Sequence, residues 1–547
     1  MSPTNAQVEA QLTAPGQLFE MEEIGDTGVR TWKHAPQHFR TLLENSRWQG
    51  ANVFLAYEDE HLTYEEHYRL AATLARRLVE DYGVAKGDRV AIAMRNYPEW
   101  VISFSAVLAA GGIAVPLNAW WTEQELAYGV SDSGAKLLIA DDERAERLAS
   151  TGVPMIVARS EQWREVLGEV RADVTLPEVE LTADDPATIF YTSGTTGHPK
   201  GALGTHRNLG QSPMTVAFGL MRAVALSGKD PGEASAVRRV TLLTVPLFHV
   251  TGCFSALTTT MFTGGGLVLM YKWDPERALQ LIERERVTTM IGVPTNAWQL
   301  MSHPDFGKYD LSSLTTLGYG GAPAPPKLLE RINDNLPQRA ASNGYGMTET
   351  TALAIGNGGA DYQARPDSIG QPSAVVDVRI VGPMGDELPV GEVGELCVRG
   401  PNVIKGYWNK PEATAQTFVN GWLHTGDLAR VDEEGFVYIV DRAKDMVIRG
   451  GENVYCAEVE AALFEHPAVD DAAVIGVPHD ELGEEVGAVV RPVRGASVSP
   501  EELRDFLTER IAKFKIPAHY WFREDELPRN PGGKILKTHL RREVLGA

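Results

Sequence analysis

The densest group of chemistry-bearing residues lies between Ala187 and Gly201, in ATIFYTSGTTGHPKG. An apolar run ending at Tyr191 feeds a loop that carries Thr192, Ser193, Gly194, Thr195, Thr196 and Gly197 and closes at Lys200. Glycines let backbone amides come close to an anion, hydroxyls donate hydrogen bonds, and a lysine adds a point charge. A loop of this make-up suits a chain of phosphates. It is not a Walker A loop: Pro199 precedes Lys200 and Gly201 follows it, where GxxxxGK[ST] requires glycine and then serine or threonine.

Other strings add complementary groups. NGYGMTETT (Asn343 to Thr351) sets an aromatic ring and a carboxylate within one short segment. A ring suits a nucleobase, and Mg²⁺ is usually held by one or two carboxylates plus substrate phosphates. WLHTGDLA (Trp422 to Ala429) places Asp427 after a Thr-Gly turn. VDRAKDMVIRGGENVY (Val440 to Tyr455) holds Arg442, Lys444 and a glycine pair, and LPRNPGGKILK (Leu527 to Lys537) carries Lys534.

Taken in order, from LTYEE at Leu62 to GGKILK at Lys537, these strings resemble the adenylate-forming (AMP-binding) enzymes. That superfamily includes acyl- and aryl-CoA synthetases, beetle luciferases and the adenylation domains of peptide synthetases. The resemblance implies a catalytic set of Lys200, His249, Thr348, Glu349 and Lys534. It implies that Thr192 to Gly197 and Lys200 bind ATP phosphates, and that the backbone at Gly321 and Ala322 lines the adenine site with Asn343, Tyr345 and Gly346. Tyr345 would stack on adenine, Thr348 touch the α-phosphate, and Glu349 reach Mg²⁺. Asp427 would bind the ribose hydroxyls and Arg442 the ribose or a phosphate. Lys444 would be the hinge, Gly451 would line a pantetheine tunnel, and Lys534 would bridge the substrate carboxylate and the α-phosphate. His249, in VPLFHVTG, matches a position that gates the acyl pocket.

The elements that must position these groups alternate in type. LTYEEHYRLAATLARRLVEDYG has helical periodicity, DRVAIAMRN reads as a strand, and NYPEWVISFSAVLAAGG as a helix with a glycine stop. Thr122 and Glu125 form a capping box for another helix, as do Ser499 and Glu502 later, with Pro500 at the first helical position. Repeated β-α-β units imply mostly parallel sheets with helices on both faces. Past Asp377 short strands and Gly/Pro turns take over, suggesting a small antiparallel sheet or barrel, and the last hundred residues read as α+β. The expected architecture is a large α/β domain over 1–441, with two doubly wound βαβ subdomains and a small β-barrel. A smaller, mobile α+β domain over 442–547 follows, with the hinge near Lys444. The first 30 residues are expected to be loosely ordered.

Composition narrows the partners. The 547 residues carry a net charge of −22, which argues against broad nucleic-acid binding. The three cysteines are far apart in sequence, and neither a disulfide framework nor a zinc site is expected from their spacing. The N-terminus shows no basic-then-apolar leader, which fits a cytoplasmic enzyme. Two uncharged stretches, Val101 to Trp121 and Val240 to Tyr271, are long enough to span a membrane, but their Gly, Pro and Thr content favours burial in a protein core.

By the resemblance, VTGCFSALTTT (from Val250) and IGVPTNAWQLM (from Ile291) help form the acid pocket, and neither has a charge. An unpaired buried ammonium is costly, so α-amino acids should be poor substrates. The expected enzyme is an ATP-dependent carboxylic acid–CoA ligase using ATP, Mg²⁺ and coenzyme A. It would act on an acid with an apolar tail, a medium- or long-chain fatty acid first and an aryl or arylalkanoic acid second. Transfer of the acyl group to a carrier protein or amine is an alternative acceptor route, and a nucleotide-binding module without turnover is the non-enzymatic one. A homodimer is a possible assembly.

Overall fold

The computed structural model describes residues 4–546 except 193–198, 229–237, 323, 325, 451 and 531–532. Two large sheets dominate. The first has seven strands in the spatial order Gly406–Tyr407, Gly201–Thr205, Pro186–Tyr191, Ile113–Pro116, Arg89–Ala93, Leu137–Ala140 and Met155–Val157. Its inner strands are parallel, and Gly201–Thr205 runs antiparallel to both neighbours. The second has nine strands, with a parallel centre built from Val53–Tyr57, Gly266–Leu269, Val240–Leu243, Thr289–Gly292, Thr316–Gly320 and Ala340–Met347. Asn96, just past strand Arg89–Ala93, joins the two sheets. Its amide donates to the Val245 carbonyl at 3.1 Å and accepts from the Leu247 amide at 2.8 Å.

The uncharged stretches are core. Helix Pro98–Ala109 packs Trp100, Val101, Phe104, Val107 and Leu108 into the main hydrophobic cluster, and strand Ile113–Pro116 is buried on both faces. Among the described residues no helix is long and apolar enough to cross a membrane. In the second stretch, Thr251–Thr258 forms a π-helix, which helical periodicity in the sequence does not reveal. Gly252 is required there by close approach: a Cβ would lie 2.3 Å from the Pro246 carbonyl oxygen.

The third sheet is antiparallel and has five strands: Asp377–Val381, Gly394–Arg399, Trp422–Val431, Phe418–Val419 and Val437–Arg442. A further sheet follows the short connection 443–446, with Val447–Arg449, Glu452–Val454, Val469–His479, Gly483–Pro492 and His519–Phe522, covered by helices Cys456–Phe464, Pro500–Thr508 and Lys537–Leu545.

Two local expectations are corrected. The first 30 residues are not loose where described. Helix Asn5–Leu12 has a full capping box at Thr4, buries Val8 and ties Asn5 to Asp361 at 3.0 Å, and strands Met21–Glu23 and Arg30–Trp32 pair. At Ser499 only half of the capping box forms: the serine oxygen accepts the Glu502 amide, without the reciprocal bond seen at Thr122 and Glu125.

Candidate active site

The phosphate-type loop is held at a hairpin neck. Strands Pro186–Tyr191 and Gly201–Thr205 pair antiparallel, with Tyr191 opposite Gly201, and the Thr192 amide donates to the Lys200 carbonyl at 2.9 Å. Ser193, Gly194, Thr195, Thr196 and Gly197 lie outside the described residues, as does Gly451. Lys200 Nζ sits 4.7 Å from the centroid of the Tyr407 ring. Tyr407 is there because its two-residue strand is the outermost of the first sheet, opposite Ala202.

Tyr407 also connects this loop to Glu349. Its hydroxyl donates to Glu349 Oε1 at 2.6 Å. Burial raises the Glu349 carboxyl above its usual range; the Tyr407 bond and the nearby Lys200 and Arg442 charges oppose that shift. Glu349 lies in a tight turn, Thr348–Thr350, at the end of strand Ala340–Met347, which brings Asn343, Tyr345 and Gly346 to the same end of the second sheet. Gly346 has no room for a side chain, since a Cβ would fall 1.6 Å from the Ala352 carbonyl oxygen. After the turn, Thr351 and Ala352 both have left-handed backbone, with φ of 51° and 73°. Such conformations cost free energy in non-glycine residues and persist where surroundings enforce them. Here the Thr351 hydroxyl donates to the Asn402 carbonyl at 2.7 Å, and the Thr350 hydroxyl to the Ala352 carbonyl at 2.8 Å.

The third sheet supplies the next groups. Asp427 and Arg442 are directly opposed in the ladder between Trp422–Val431 and Val437–Arg442. Arg442 Nε lies 2.9 Å from Asp427 Oδ1, and the Tyr345 hydroxyl donates to Asp427 Oδ2 at 2.6 Å. Asp427 is buried, and its strand bulges at Thr425–Gly426–Asp427, with Gly426 at φ 72°. The Thr425 hydroxyl donates to the Leu396 carbonyl at 2.7 Å and accepts the Asp427 amide at 3.1 Å, which holds the bulge.

Lys534 closes the site from the C-terminal side. Its amide donates to Asn530 Oδ1 at 2.9 Å, and its carbonyl accepts from the Asn530 amide at 2.8 Å. The preceding Gly533, at φ 77°, presses on Val293: a Cβ there would lie 2.9 Å from that side chain. Val293 starts helix Pro294–Ser302 in the second uncharged pocket segment. Burial pulls Lys534 down to about 7, reinforced by Arg442 and Lys444 and partly offset by Asp445 and Asp427. The same side chain is therefore near Asp427 and Arg442 while its loop rests on Val293. His249, just before the π-helix, has a buried Nε2 with no hydrogen-bond partner among the described residues, and burial holds its pKa at about 4. It is a neutral ring in an apolar setting.

A family profile described as "AMP-binding enzyme" covers residues 21–408, and a second, "AMP-binding enzyme C-terminal domain", covers 458–534. The chain belongs to the AMP-binding enzyme family. It is an AMP-forming acid–thiol ligase of the acyl-CoA synthetase type. A feruloyl-CoA synthase from Amycolatopsis sp is 41% identical over 482 residues, 88% of this chain and 94% of that one. A 2-succinylbenzoate–CoA ligase from Geobacillus kaustophilus is 39% identical over 484 residues, 88% of this chain and 93% of the other. Among solved structures, the o-succinylbenzoate CoA synthetase of Bacillus subtilis, in complex with its acyl-adenylate intermediate, superposes with a TM-score of 0.78 at 32% identity, covering 92% of this chain and 98% of that one.

In this ligase the structure brings Lys200, Glu349, Tyr345, Asp427, Arg442 and Lys534 together as one linked group: Glu349 feels the charges of Lys200 and Arg442, Tyr345 and Arg442 both hold Asp427, and Lys534 feels Arg442 and Asp427. Thr348 begins the Glu349 turn, and Gly321 and Ala322 follow the neighbouring strand Thr316–Gly320. Lys444 lies in the connection 443–446, beside Lys534 electrostatically. The sequence reading did not single out Tyr407. Its only signal was the strand-like PNVIKGYW, and its partner strand lies some two hundred residues earlier.

Proposed function

We propose that this ligase activates an uncharged-tailed aromatic or arylalkenoic acid as its adenylate and passes the acyl group to coenzyme A. The observation that carries the reading is the seating of Lys534, which links the Asp427–Arg442 pair to the Val293 pocket wall. A charge at that junction can meet a carboxylate and an α-phosphate together. In the first step the carboxylate oxygen attacks the α-phosphorus and pyrophosphate leaves. Lys534 stabilises the charge that develops, as fixed positive groups do in such displacements. In the second step the CoA thiol, losing its proton, attacks the acyl carbon and AMP leaves.

The residues present fit a magnesium ion. Glu349 Oε1 is held by Tyr407 and the carboxylate also takes a hydrogen bond from its own backbone amide; each carboxylate oxygen has two lone pairs, so it can still offer one to a cation, and one carboxylate plus substrate phosphates is the usual Mg²⁺ donor set. When bound, the ion would neutralise phosphate charge. Asp427 would hold the ribose, Tyr345 the base, and the Thr192–Lys200 loop the outer phosphates. The nucleophile needs no base, since a carboxylate is ionised at neutral pH, and the neutral His249 is suited to shaping the pocket.

Lys534 and the pantetheine path cannot both occupy the cleft, so the unit after residue 441 turns about Lys444 between the steps. The acid assignment rests on the wall of the pocket: Gly252, Cys253, Phe254 and Val293 are buried and uncharged, and Phe190 packs behind Phe254 at 5.2 Å. Likeness to the feruloyl-activating relative supports an aromatic acid with an uncharged tail, and the 2-succinylbenzoate-activating relative shares the aromatic ring, though its acid carries a second carboxylate. A medium- or long-chain fatty acid is the second reading, favoured by the half-buried small residues Thr251 and Ser255. A pyrophosphate-release assay over cinnamic, benzoic, fatty and amino acids, with and without CoA, decides. The expected result is fastest release with an aromatic acid and thioester formed only with CoA. Faster release with fatty acids would overturn the acid assignment, and appreciable turnover of α-amino acids would overturn the uncharged-pocket reading.

A further inference from the structure

The third sheet carries three side chains that the ligation chemistry does not use. Glu395 and Cys397 stand two residues apart on strand Gly394–Arg399, the spacing that puts side chains on one face. Cys397 is opposed to His424 in the ladder. His424 Nδ1 lies 2.8 Å from Glu395 Oε2 and 3.5 Å from Cys397 Sγ. One ligand atom from each of the three lies within 4.8 Å of the other two. Cys397 is fully buried, while the His424 and Glu395 side chains keep 23% and 30% of their surface exposed, so the trio opens to solvent on one side.

We propose that Glu395, Cys397 and His424 form a binding site for a thiophilic divalent cation of the zinc type, with water as the fourth ligand. Carboxylate, thiolate and imidazole are all zinc donors. Tetrahedral bonds of about 2.0 Å to nitrogen and about 2.3 Å to sulfur set those two atoms about 3.5 Å apart, which the His424–Cys397 spacing already meets. Nitrogen and carboxylate oxygen would sit about 3.3 Å apart, so the His424–Glu395 hydrogen bond opens by about half an ångström as the ion replaces its proton. The thiol proton passes to the buffer, and the neutral imidazole keeps its single proton, carried on Nε2 while Nδ1 binds the ion. Arg379, opposite Cys397 in the ladder, favours the ionised sulfur against burial and Glu395, which push the thiol up to about 11.

Glu395 ties this site to the nucleotide strand. Its Oε1 accepts the Gly426 amide at 2.9 Å, inside the bulge that presents Asp427. An ion that draws Oε2 aside shifts the carboxylate that holds the bulge, so occupation weakens ATP binding.

The test uses the full chain, stripped of metal and free of nucleotide. Zn²⁺ is titrated against a chromophoric chelator, and Co²⁺ reports sulfur ligation through its near-ultraviolet charge-transfer band. The expected result is one Zn²⁺ per chain and a cobalt–thiolate band. Cys397→Ala and His424→Gln should each weaken binding at least tenfold, and Cys397→Ala should abolish the band, while Cys456→Ala keeps both. No stoichiometric binding, or equal binding in all variants, would overturn the site. Melting curves check that the variants fold, and His424→Gln carries the test if Cys397→Ala does not. With free Zn²⁺ held by a metal buffer, the KM for ATP should rise several-fold in the wild type and stay unchanged in Cys397→Ala. Site-specific binding with no such rise would overturn the link to the nucleotide pocket.

Discussion

Lys534 gives the sharpest quantitative consequence of the proposed chemistry. Burial is the main reason its pKa falls to about 7, with Arg442 and Lys444 adding to the effect. Relative to an ordinary lysine, this is a preference of about 5 kcal/mol for the neutral form. At pH 8 about one free molecule in ten then carries an ammonium at this position. A bound triphosphate restores the charge, because its oxygens outweigh the two cations. ATP binding should therefore take up about 0.9 proton at pH 8, about half a proton at pH 7 and about 0.1 at pH 6. Calorimetric titration with MgATP in two buffers of different ionisation enthalpy measures this directly. Lys534→Met, which keeps the packing and removes the titrating group, should abolish the uptake. An uptake below about 0.2 proton at pH 8, or one unchanged in Lys534→Met, would refute the reasoning. The same shift has a stability sign. Between pH 7 and 10.5 the unfolded chain holds the extra proton, so the penalty is full at or below pH 7 and fades as pH rises toward 10.5. Lys534→Met should accordingly melt higher than the wild type at pH 7, with the gap narrowing at alkaline pH.

Other perturbations separate the parts of the site. Lys534→Ala should lose adenylation by about 10²–10³-fold yet still convert supplied acyl-adenylate plus CoA, whereas Lys444→Pro should stiffen the connection and slow the second step more. Equal damage to both half-reactions in both variants, measured separately, would sink the alternating picture. Tyr407→Phe removes the hydrogen bond to a buried carboxylate, worth about 1–3 kcal/mol, and should raise the Mg²⁺ concentration needed for half-maximal pyrophosphate release. An unchanged Mg²⁺ dependence would remove Tyr407 from the site. Gly346→Ala must displace the Ala352 carbonyl and should lower the melting temperature sharply; a near-neutral substitution would contradict the close approach in this turn.

Much of this architecture can be read along the chain because its signals are local. The Thr122–Glu125 capping box forms as the residue spacing requires, and the apolar runs at Arg89–Ala93 and Gly266–Leu269 become buried parallel strands. Asp427 and Arg442 are also close enough in sequence to fall on neighbouring strands of one sheet. What escaped depends on distant partners. Tyr407 meets Glu349 only because its short strand pairs with Gly201–Thr205. Asn96 meets Val245 and Leu247 only once two sheets are laid side by side. Glu395 and His424 are unremarkable in sequence until a slipped ladder sets them beside Cys397. Residue period tells which face a side chain takes, not which strand lies opposite.

The π-helix Thr251–Thr258 bears on how such a pocket changes over time. Each of its turns is closed between residues five apart rather than four, so it holds a surplus residue relative to an α-helix. Excising that residue would relax the segment to α-helical winding while the turns on either side keep their facing, because the wide turn had absorbed the extra residue locally. The same deletion in an ordinary α-helix would swing everything beyond it by about 100°. A wall wound this way can therefore lose one residue and narrow beside Thr251 and Ser255 without the rest of the helix being turned out of its packing.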